Sequence, residues 1–335
     1  MLAIASALGL LSSAIQLTGV ELYSNQTTRY GRWEFRMKAA ATPGTVSSFF
    51  TYYNNSYLDS PYPWREIDIE VLGKNGKAFQ SNLITGTASD KSTSEKLHSF
   101  ASDLSQTYHT YTLDWTPDSV VWRLDGALVR KTAAPDQQVV DLSDSAQTWR
   151  MNLWASTTAS WAGALDTTKL PVLQIVHWMR YSNYTPGAGT DGSNFTLAWV
   201  DSFKTLNRTR WSLGNWTFDG NYATFSATNA TVVDGHLVMM LSTNATAGQF
   251  PATFLHDSAS ASVRRSGAKV ATAPSRMSRS TWRIPGAGSA DVFDLRGVRV
   301  ATSRRVEGGV EFDLGRHTGM AVVRSGDQVW RILSN

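Results

Sequence analysis

The stretch PWREIDIEVLGKNG, residues 63 to 76, restricts the fold more than any other part of the chain. Side chains of a β-strand alternate between its two faces, so Glu66, Asp68 and Glu70 share one face while Ile67, Ile69 and Val71 share the other. A row of three carboxylates is unfavourable, because like charges on one face repel and Asp and Glu have poor β propensity. The strand therefore needs an apolar layer behind it that outweighs the repulsion in front. Two readings are open at this point: a solvated edge face with polar decoration, or a site that uses the carboxylates.

The surrounding text is strand-like from Val20 to about Thr243, with short runs of Val, Thr, Tyr, Phe and Trp closed by turn residues and little helical periodicity. GRWEFRMKA (31–39) alternates cleanly, with Trp33, Phe35 and Met37 opposite Glu34, Arg36 and Lys38. His109 to Lys131 reads as a hairpin turning again at Asp125-Gly126, a dipeptide suited to the positive φ of a tight turn. Many short strands with turn signals predict an all-β domain built as a sandwich or jelly roll, two packed antiparallel sheets. Trp33, Trp115, Trp122 and Trp178 are expected in its core.

Residues 244–282 are small and polar and read as a flexible linker, and 283–335 alternate again as a small C-terminal β module of four or five short strands. Residues 1–16 read as a signal peptide, with Ser12 and Ala14 at the spacing a signal peptidase uses; a first buried segment is the other reading, since no Lys or Arg precedes the apolar part. No apolar run reaches the roughly 18–20 residues that span a bilayer, so no membrane span is expected.

Charge narrows the partners. Residues 1–255 hold 18 Lys and Arg against 20 Asp and Glu, a balance of −2, whereas residues 256–335 hold 13 against 7, or +6. The tail arginines are scattered among Ser, Ala and Gly rather than gathered with aromatic platforms, which argues against nucleic acid. With no cysteine there is no disulfide framework, and the six histidines show no zinc spacing.

What remains is carboxylate chemistry on a neutral polymer. Glycoside hydrolysis with retention needs two carboxyl groups about 5–5.5 Å apart. The Cα atoms of Glu66 and Glu70 are separated by roughly 13 Å at about 3.3 Å per residue, a gap that two inward-leaning Glu side chains close. Asp68 between them would split the pair's titration; spacing alone does not say which glutamate is the nucleophile. FFTYYNN (49–55) and FQSNLITG (79–86) supply amides and aromatic faces that suit sugar hydroxyls and the C–H faces of pyranose rings.

At EIDIE the chain resembles glycoside hydrolase family 16, whose members carry a Glu-x-Asp-x-Glu strand on the concave face of a β-jelly roll. Residues 17–243 resemble the circularly permuted mixed-linkage β-glucanases (licheninases) of that family through YGRWEFRMKAAATPGTVSS, EIDIEVLGKN, FQSNLITG, HTYTLDWTP and NWTFDGN. The segment 200–242 looks like the strands that open an ordinary member, displaced to follow the acidic strand. The resemblance implies Glu66 as nucleophile, Glu70 as acid/base and Asp68 as their assistant. It also implies a glucan cleft lined by Glu21, Phe50, Tyr52, Asn54, Gln80, Asn82, Arg150, Trp154, Trp161 and Trp216, each aromatic competing with a core-packing role. No catalytic cofactor is implied. A structural calcium is, held by the backbone carbonyls of His177, Ser202 and Gly235. The alternatives are an endo-β-1,3-glucanase or other family 16 polysaccharidase, and a jelly roll that binds glucan without cutting it. The tail, with VFDLRGVRVA and GMAVVRSGDQVWRIL, resembles sorting domains of the type IX secretion system, a small carbohydrate-binding or stabilising module being the other reading. The expectation is a monomer, secreted or displayed on a Gram-negative cell surface, acting on polysaccharide.

Overall fold

A computed structural model describes residues 16–189, 192–251, 275–278, 280–285, 290–294, 299–307, 309–315, 319–325 and 328–334. The signal-peptide expectation for 1–16 lies almost wholly outside the described residues, as does most of the expected linker. The chain forms two units, Met1–Asp257 and Ser258–Asn335. Among the described residues no helix is long and apolar enough to cross a membrane.

In the first unit the alternating segments become strands β1 (Leu17–Ser24), β2 (Gly31–Lys38), β3 (Thr45–Tyr52), β4 (Glu66–Leu72) and β5 (Ala78–Gly86). One sheet runs, neighbour to neighbour, from Trp211–Leu213 through β1, Thr148–Ala155, β3, β4 and β5 to the short strands Lys91–Thr93 and Lys96–Ser99, all antiparallel. The other runs from Ala127–Ala133 through Ser119–Leu124, His109–Thr116 and β2 to Val172–Tyr184, which pairs beyond it with Phe195–Asp201 and His236–Thr243. The first residues of β1 also pair with Ala223–Phe225 and with Ser242 and Thr243, so the two sheets meet at one corner.

The core lies where the sheets face each other. β2 buries Gly31, Trp33, Phe35 and Met37 and leaves Arg32, Glu34, Arg36 and Lys38 partly open, the alternation expected of a half-buried strand. Phe35 packs on Phe49 of β3 at 4.6 Å and stacks on Tyr111 at 5.2 Å, while Trp149 stacks on Tyr181 at 5.6 Å. Ile67, Ile69 and Val71 of β4 are fully buried in this layer, each stabilising the fold by about 1.5–3 kcal/mol. That apolar face holds the acidic row in place. The result is the expected jelly roll, and Asp125-Gly126 forms the expected turn with φ of 50° and 82°.

Trp33, Trp115 and Trp122 are fully buried, but Trp178 is not. A β-bulge between Val176 and Trp178 inserts His177 and shifts the parity of the strand. Met179, not Trp178, then points inward, and Trp178 lies half-exposed with Arg180 5.4 Å over its ring.

The second unit is an antiparallel arrangement of seven strands among the described residues, in the order Ser275–Arg276, Thr281–Pro285, Gly309–Asp313, Arg299–Val306, Asp291–Asp294, Gly319–Ser325, Gln328–Ser334. Ile284, Val292, Val310, Phe312 and Val323 form its small core. Its first two strands begin inside the stretch read as linker, because Arg276 and Trp282 pair across a short turn that composition alone does not mark.

Candidate active site

The antiparallel register turns the sheet containing β4 into rows of side chains. Glu70 lies between Gln80 and Ser48, and the row continues through Asn152 to Glu21. Asp68 lies between Asn82 and Phe50, continuing to Arg150 and Tyr23; Glu66 lies between Ile84 and Tyr52, continuing to Thr148. Residues far apart in sequence thus share one face by parity alone.

This face floors a groove of about 870 Å³. Glu66, Asp68 and Glu70 line it, with Glu21, Phe50, Tyr52, Asn54, Arg150, Trp154 and Trp216. Gln80 and Trp161 stand beside the lining, next to Glu70: the Gln80 amide lies 3.4 Å from carboxylate oxygens of both Glu70 and Glu95, and Trp161 Nε1–H donates to Gln80 Oε1 at 3.2 Å. Asn82 is not brought to the groove. Its Oδ1 accepts from the Ser94 amide at 3.0 Å, because the Lys91–Ser99 segment pairs along the outer edge of β5 and brings Ser94 beside it.

Other groove residues escaped sequence reading. Ser48 and Asn152 follow from the register once pairing is known, whereas Lys91 starts a short exposed strand and Tyr57, Phe218 and Asp219 come from connections, none of which periodicity reveals.

Hydrogen bonds hold the acidic strand and its carboxylates from both sides. Trp64 Nε1–H donates to Glu66 Oε2 at 2.7 Å, and from the core side Trp122 Nε1–H donates to the Asp68 carbonyl at 2.9 Å. Further along, Arg150 Nη1 donates to Glu21 Oε1 at 2.7 Å, Arg150 Nη2 to Asn54 Oδ1 at 2.7 Å, and Asn152 Nδ2 to Glu21 Oε2 at 3.2 Å. The guanidinium also lies 4.9 Å over the Tyr52 ring.

Burial dominates the protonation of the trio. Although Glu66 and Glu70 keep an exposed edge, protein crowds both, and with desolvation as the largest cause Glu66 is raised to about 7 and Glu70 to about 8. Within those values the Trp64 hydrogen bond and the charge of Lys91 hold Glu66 down, while the charges of Glu66 and Glu95 contribute to the rise of Glu70 and the Gln80 hydrogen bond opposes it. Asp68 is raised well above the usual range by burial and then by its two glutamate neighbours. The three titrate as one coupled system in which burial raises every member.

A carboxyl whose pKa is raised on folding stabilises the fold below its unfolded pKa, and that stability is lost as pH rises through the folded value. For Glu70 the loss falls between about pH 4.5 and about pH 8. Glu70→Gln, which cannot ionise, is expected to stabilise the fold at pH 8 by on the order of 2 kcal/mol relative to the parent. The difference disappears below about pH 4.5, and urea unfolding at both pH values measures it. Equal stabilities at pH 8 would mean that burial of Glu70 costs nothing.

Around the carbonyls expected to hold calcium, the bulge takes His177 out of the regular ladder, and the His177 ring stacks on that of His236 at 4.6 Å. Gly235, at φ 72°, immediately precedes His236 and approaches the Ser202 carbonyl. The three residues share one neighbourhood. Among the described residues no group of three His, Cys, Asp or Glu side chains could hold a metal.

The profile of glycosyl hydrolases family 16 matches residues 6–170. A β-glucanase of Fibrobacter succinogenes is 47% identical over 243 residues, covering 72% of this chain and 69% of the relative. That match runs well past the length of the profile. A β-glucanase of Bacillus amyloliquefaciens is 39% identical over 164 residues, 47% of this chain and 61% of the relative. The solved β-glucanase of Bacillus licheniformis is 32% identical, covering 49% of this chain and 77% of its own, with a TM-score of 0.42. Identity of this extent over more than two thirds of both chains, joined to a jelly roll with Glu-Ile-Asp-Ile-Glu across its groove, makes the chain a member of glycosyl hydrolases family 16.

Proposed function

We propose that the protein is a retaining endo-β-glucanase that hydrolyses β-1,4 linkages next to β-1,3 linkages in mixed-linkage β-glucan. The observation that carries this reading is the row of Glu66, Asp68 and Glu70 along one groove, each raised by burial. The β-glucanase names of the relatives support the polymer.

In this reading Glu70 donates its proton to the leaving glycosidic oxygen while Glu66 attacks the anomeric carbon and forms a glycosyl-enzyme. Glu70, now ionised, takes a proton from water, which attacks the same carbon and releases Glu66. Asp68, carboxyl to carboxyl with Glu66, accommodates the charge that Glu66 gains and loses. Tyr52, Trp154 and Trp216 offer faces for pyranose rings, and the Glu21–Arg150–Asn54 network offers polar partners for hydroxyls. Two carboxyl groups suffice for the chemistry, so no catalytic cofactor is required.

The calcium belongs to this proposal as a structural ion. His177 at a bulge, Ser202 and Gly235 would hold it through carbonyl oxygens, the hard donors this cation takes. Secretion of a monomer, with the second unit as its sorting signal, completes the reading.

Release of reducing ends from barley β-glucan, laminarin and carboxymethylcellulose in parallel tests it. The expected result is cleavage of barley glucan to tri- and tetrasaccharides with the other two polymers left intact. Cleavage of laminarin instead would make it a β-1,3-glucanase. Binding without cleavage of any polymer would make it a lectin-like jelly roll.

A further inference from the structure

The segment Lys91–Ser99 runs back along β5, which separates it from β4 by one strand. It pairs twice, Gly86 with Lys91 through Ile84 with Thr93, then Ser81 with Lys96 through Ala78 with Ser99. Ser94 and Glu95 span the gap between the two pairings. Ser94 is gripped from several sides. Its amide donates to Asn82 Oδ1 at 3.0 Å, its carbonyl accepts from Arg130 Nη1 at 2.8 Å, and its hydroxyl accepts from Arg130 Nη2 at 2.9 Å. Gln138 adds bonds to the Ser92 and Leu83 carbonyls, both 2.9 Å. A buried guanidinium and a buried amide thus hold a stretch whose own side chains are largely exposed.

That anchorage sets two opposite charges at the two ends of the acidic row. Lys91 Nζ sits 3.4 Å from the centre of the Trp64 ring, and the same indole donates its N–H to Glu66. A cation on an indole face is attracted by its quadrupole and makes the ring N–H a stronger donor. Four residues on, the Glu95 carboxylate lies 3.4 Å from the Gln80 amide nitrogen, which is also 3.4 Å from Glu70.

We propose that Lys91 and Glu95 are positioning residues that divide the two catalytic carboxyls electrostatically, Lys91 acting through Trp64 to keep Glu66 ionised and Glu95 acting across Gln80 to keep Glu70 protonated. This rests on the double-displacement reading and adds the device that assigns the roles. The other groups facing Glu66 are Asp68 on its own strand, Tyr52 on β3 and Arg150 on the strand beyond; those facing Glu70 are Glu66, Asp68 and Gln80. Of these only Arg150 shares the sign of Lys91, and its guanidinium is already tied to Glu21 and Asn54. Lys91 depresses Glu66 more than Arg150 does, and Glu95 is, after Glu66, the charge that most raises Glu70.

The pH dependence of kcat/KM on barley β-glucan reads both carboxyls: its acid limb follows the group that must be ionised, its alkaline limb the group that must be protonated. Removing the cation in Lys91→Met disfavours the Glu66 carboxylate, so the acid limb moves up by about 0.5 pH unit or more, roughly a threefold loss well below it. Removing the anion in Glu95→Gln eases ionisation of Glu70, so the alkaline limb moves down by about the same amount. The active window narrows from both sides, and Lys91→Arg restores the acid limb. In parallel, the indole N–H resonance of Trp64 in 15N-tryptophan-labelled full-length protein titrates with Glu66, and its midpoint rises in Lys91→Met. That signal does not depend on turnover. A protein that cleaves no glucan while the indole midpoint still moves would sink the double-displacement reading and leave the positioning role standing. Limbs and midpoint unchanged to within about 0.2 unit in both variants overturn the proposal. So does a Lys91→Met variant whose only change is a higher KM, which would make Lys91 a substrate contact.

Discussion

Glu66→Ala is expected to hold mixed-linkage glucan in the groove and to turn it over on the order of 10³-fold more slowly, or worse. The loss is large because no neighbouring carboxylate stands free to replace it: Asp68, which meets Glu66 carboxyl to carboxyl, is one methylene shorter and buried. Glu21, two strands beyond Glu70's neighbour β3, is bonded to Arg150 and Asn152, and Glu70 is committed to the leaving oxygen. The truncation leaves space where the attacking oxygen stood. With an aryl glucoside that needs little acid help, added azide should enter that space from the face opposite the leaving group and yield the α-glycosyl azide. Glu70→Ala under the same conditions should yield the β-azide, because Glu66 has already inverted the centre once before azide arrives. The opposite pairing of anomers would exchange the roles of the two glutamates. Turnover within tenfold of the parent in Glu66→Ala would remove Glu66 from the chemistry altogether.

Arg150→Met should cost about 3–5 kcal/mol of folding stability at pH 7, more than any cleft aromatic. The side chains of Glu21 and Arg150 are only 3% and 12% exposed. Burial raises the Glu21 carboxyl, and the Arg150 charge is the largest influence opposing it. Without the guanidinium the carboxylate is left charged among buried neighbours. Because the folded pKa of Glu21 stands above its unfolded value, protonation relieves the penalty as pH falls toward and below about 4.5, so the variant regains most of its deficit in acid. Urea unfolding at pH 7 and pH 4 measures both ends. The double variant Glu21→Gln/Arg150→Met should recover most of the loss at pH 7, since a pair removed together leaves no orphan. A single variant as stable as the parent at pH 7 would show that water reaches Glu21.

How much of this was legible in the chain depends on whether a residue's place follows from parity. EIDIE declares its two faces, and GRWEFRMK does the same for the opposing sheet, so the jelly roll and the acidic row are readable directly. Trp178 misleads because one bulge at His177 reverses the parity that Val176 sets, and no local composition announces a bulge. Asn82 occupies a groove-facing position by parity, yet its side chain is taken up by the Ser94 amide of the segment that pairs along the edge of β5. Lys91 and Glu95 carry no signal at all: they lie in a polar stretch, and only the Ser94 anchorage brings them to Trp64 and Gln80. The second unit's early strands at 275 and 281 were hidden for a similar reason, being short and flanked by serine and arginine.

The corner where the two sheets meet bears on how the molecule is made. Leu17 pairs with Thr243, and the Asn244 amide donates to the Gln16 carbonyl at 2.9 Å, so β1 finds some of its neighbours only after more than two hundred further residues have left the ribosome. β3, β4 and β5 are consecutive and can form a meander early, with the carboxylate row already assembled on it. β1 contributes Glu21 to that groove but has to wait for strands at 211–213, 223–225 and 236–243. Long loops close slowly. The rate-limiting step of folding should therefore be the sealing of this seam rather than the building of the catalytic strand, and a nascent chain halted before residue 236 would display its acidic face on a sheet with an unfinished edge.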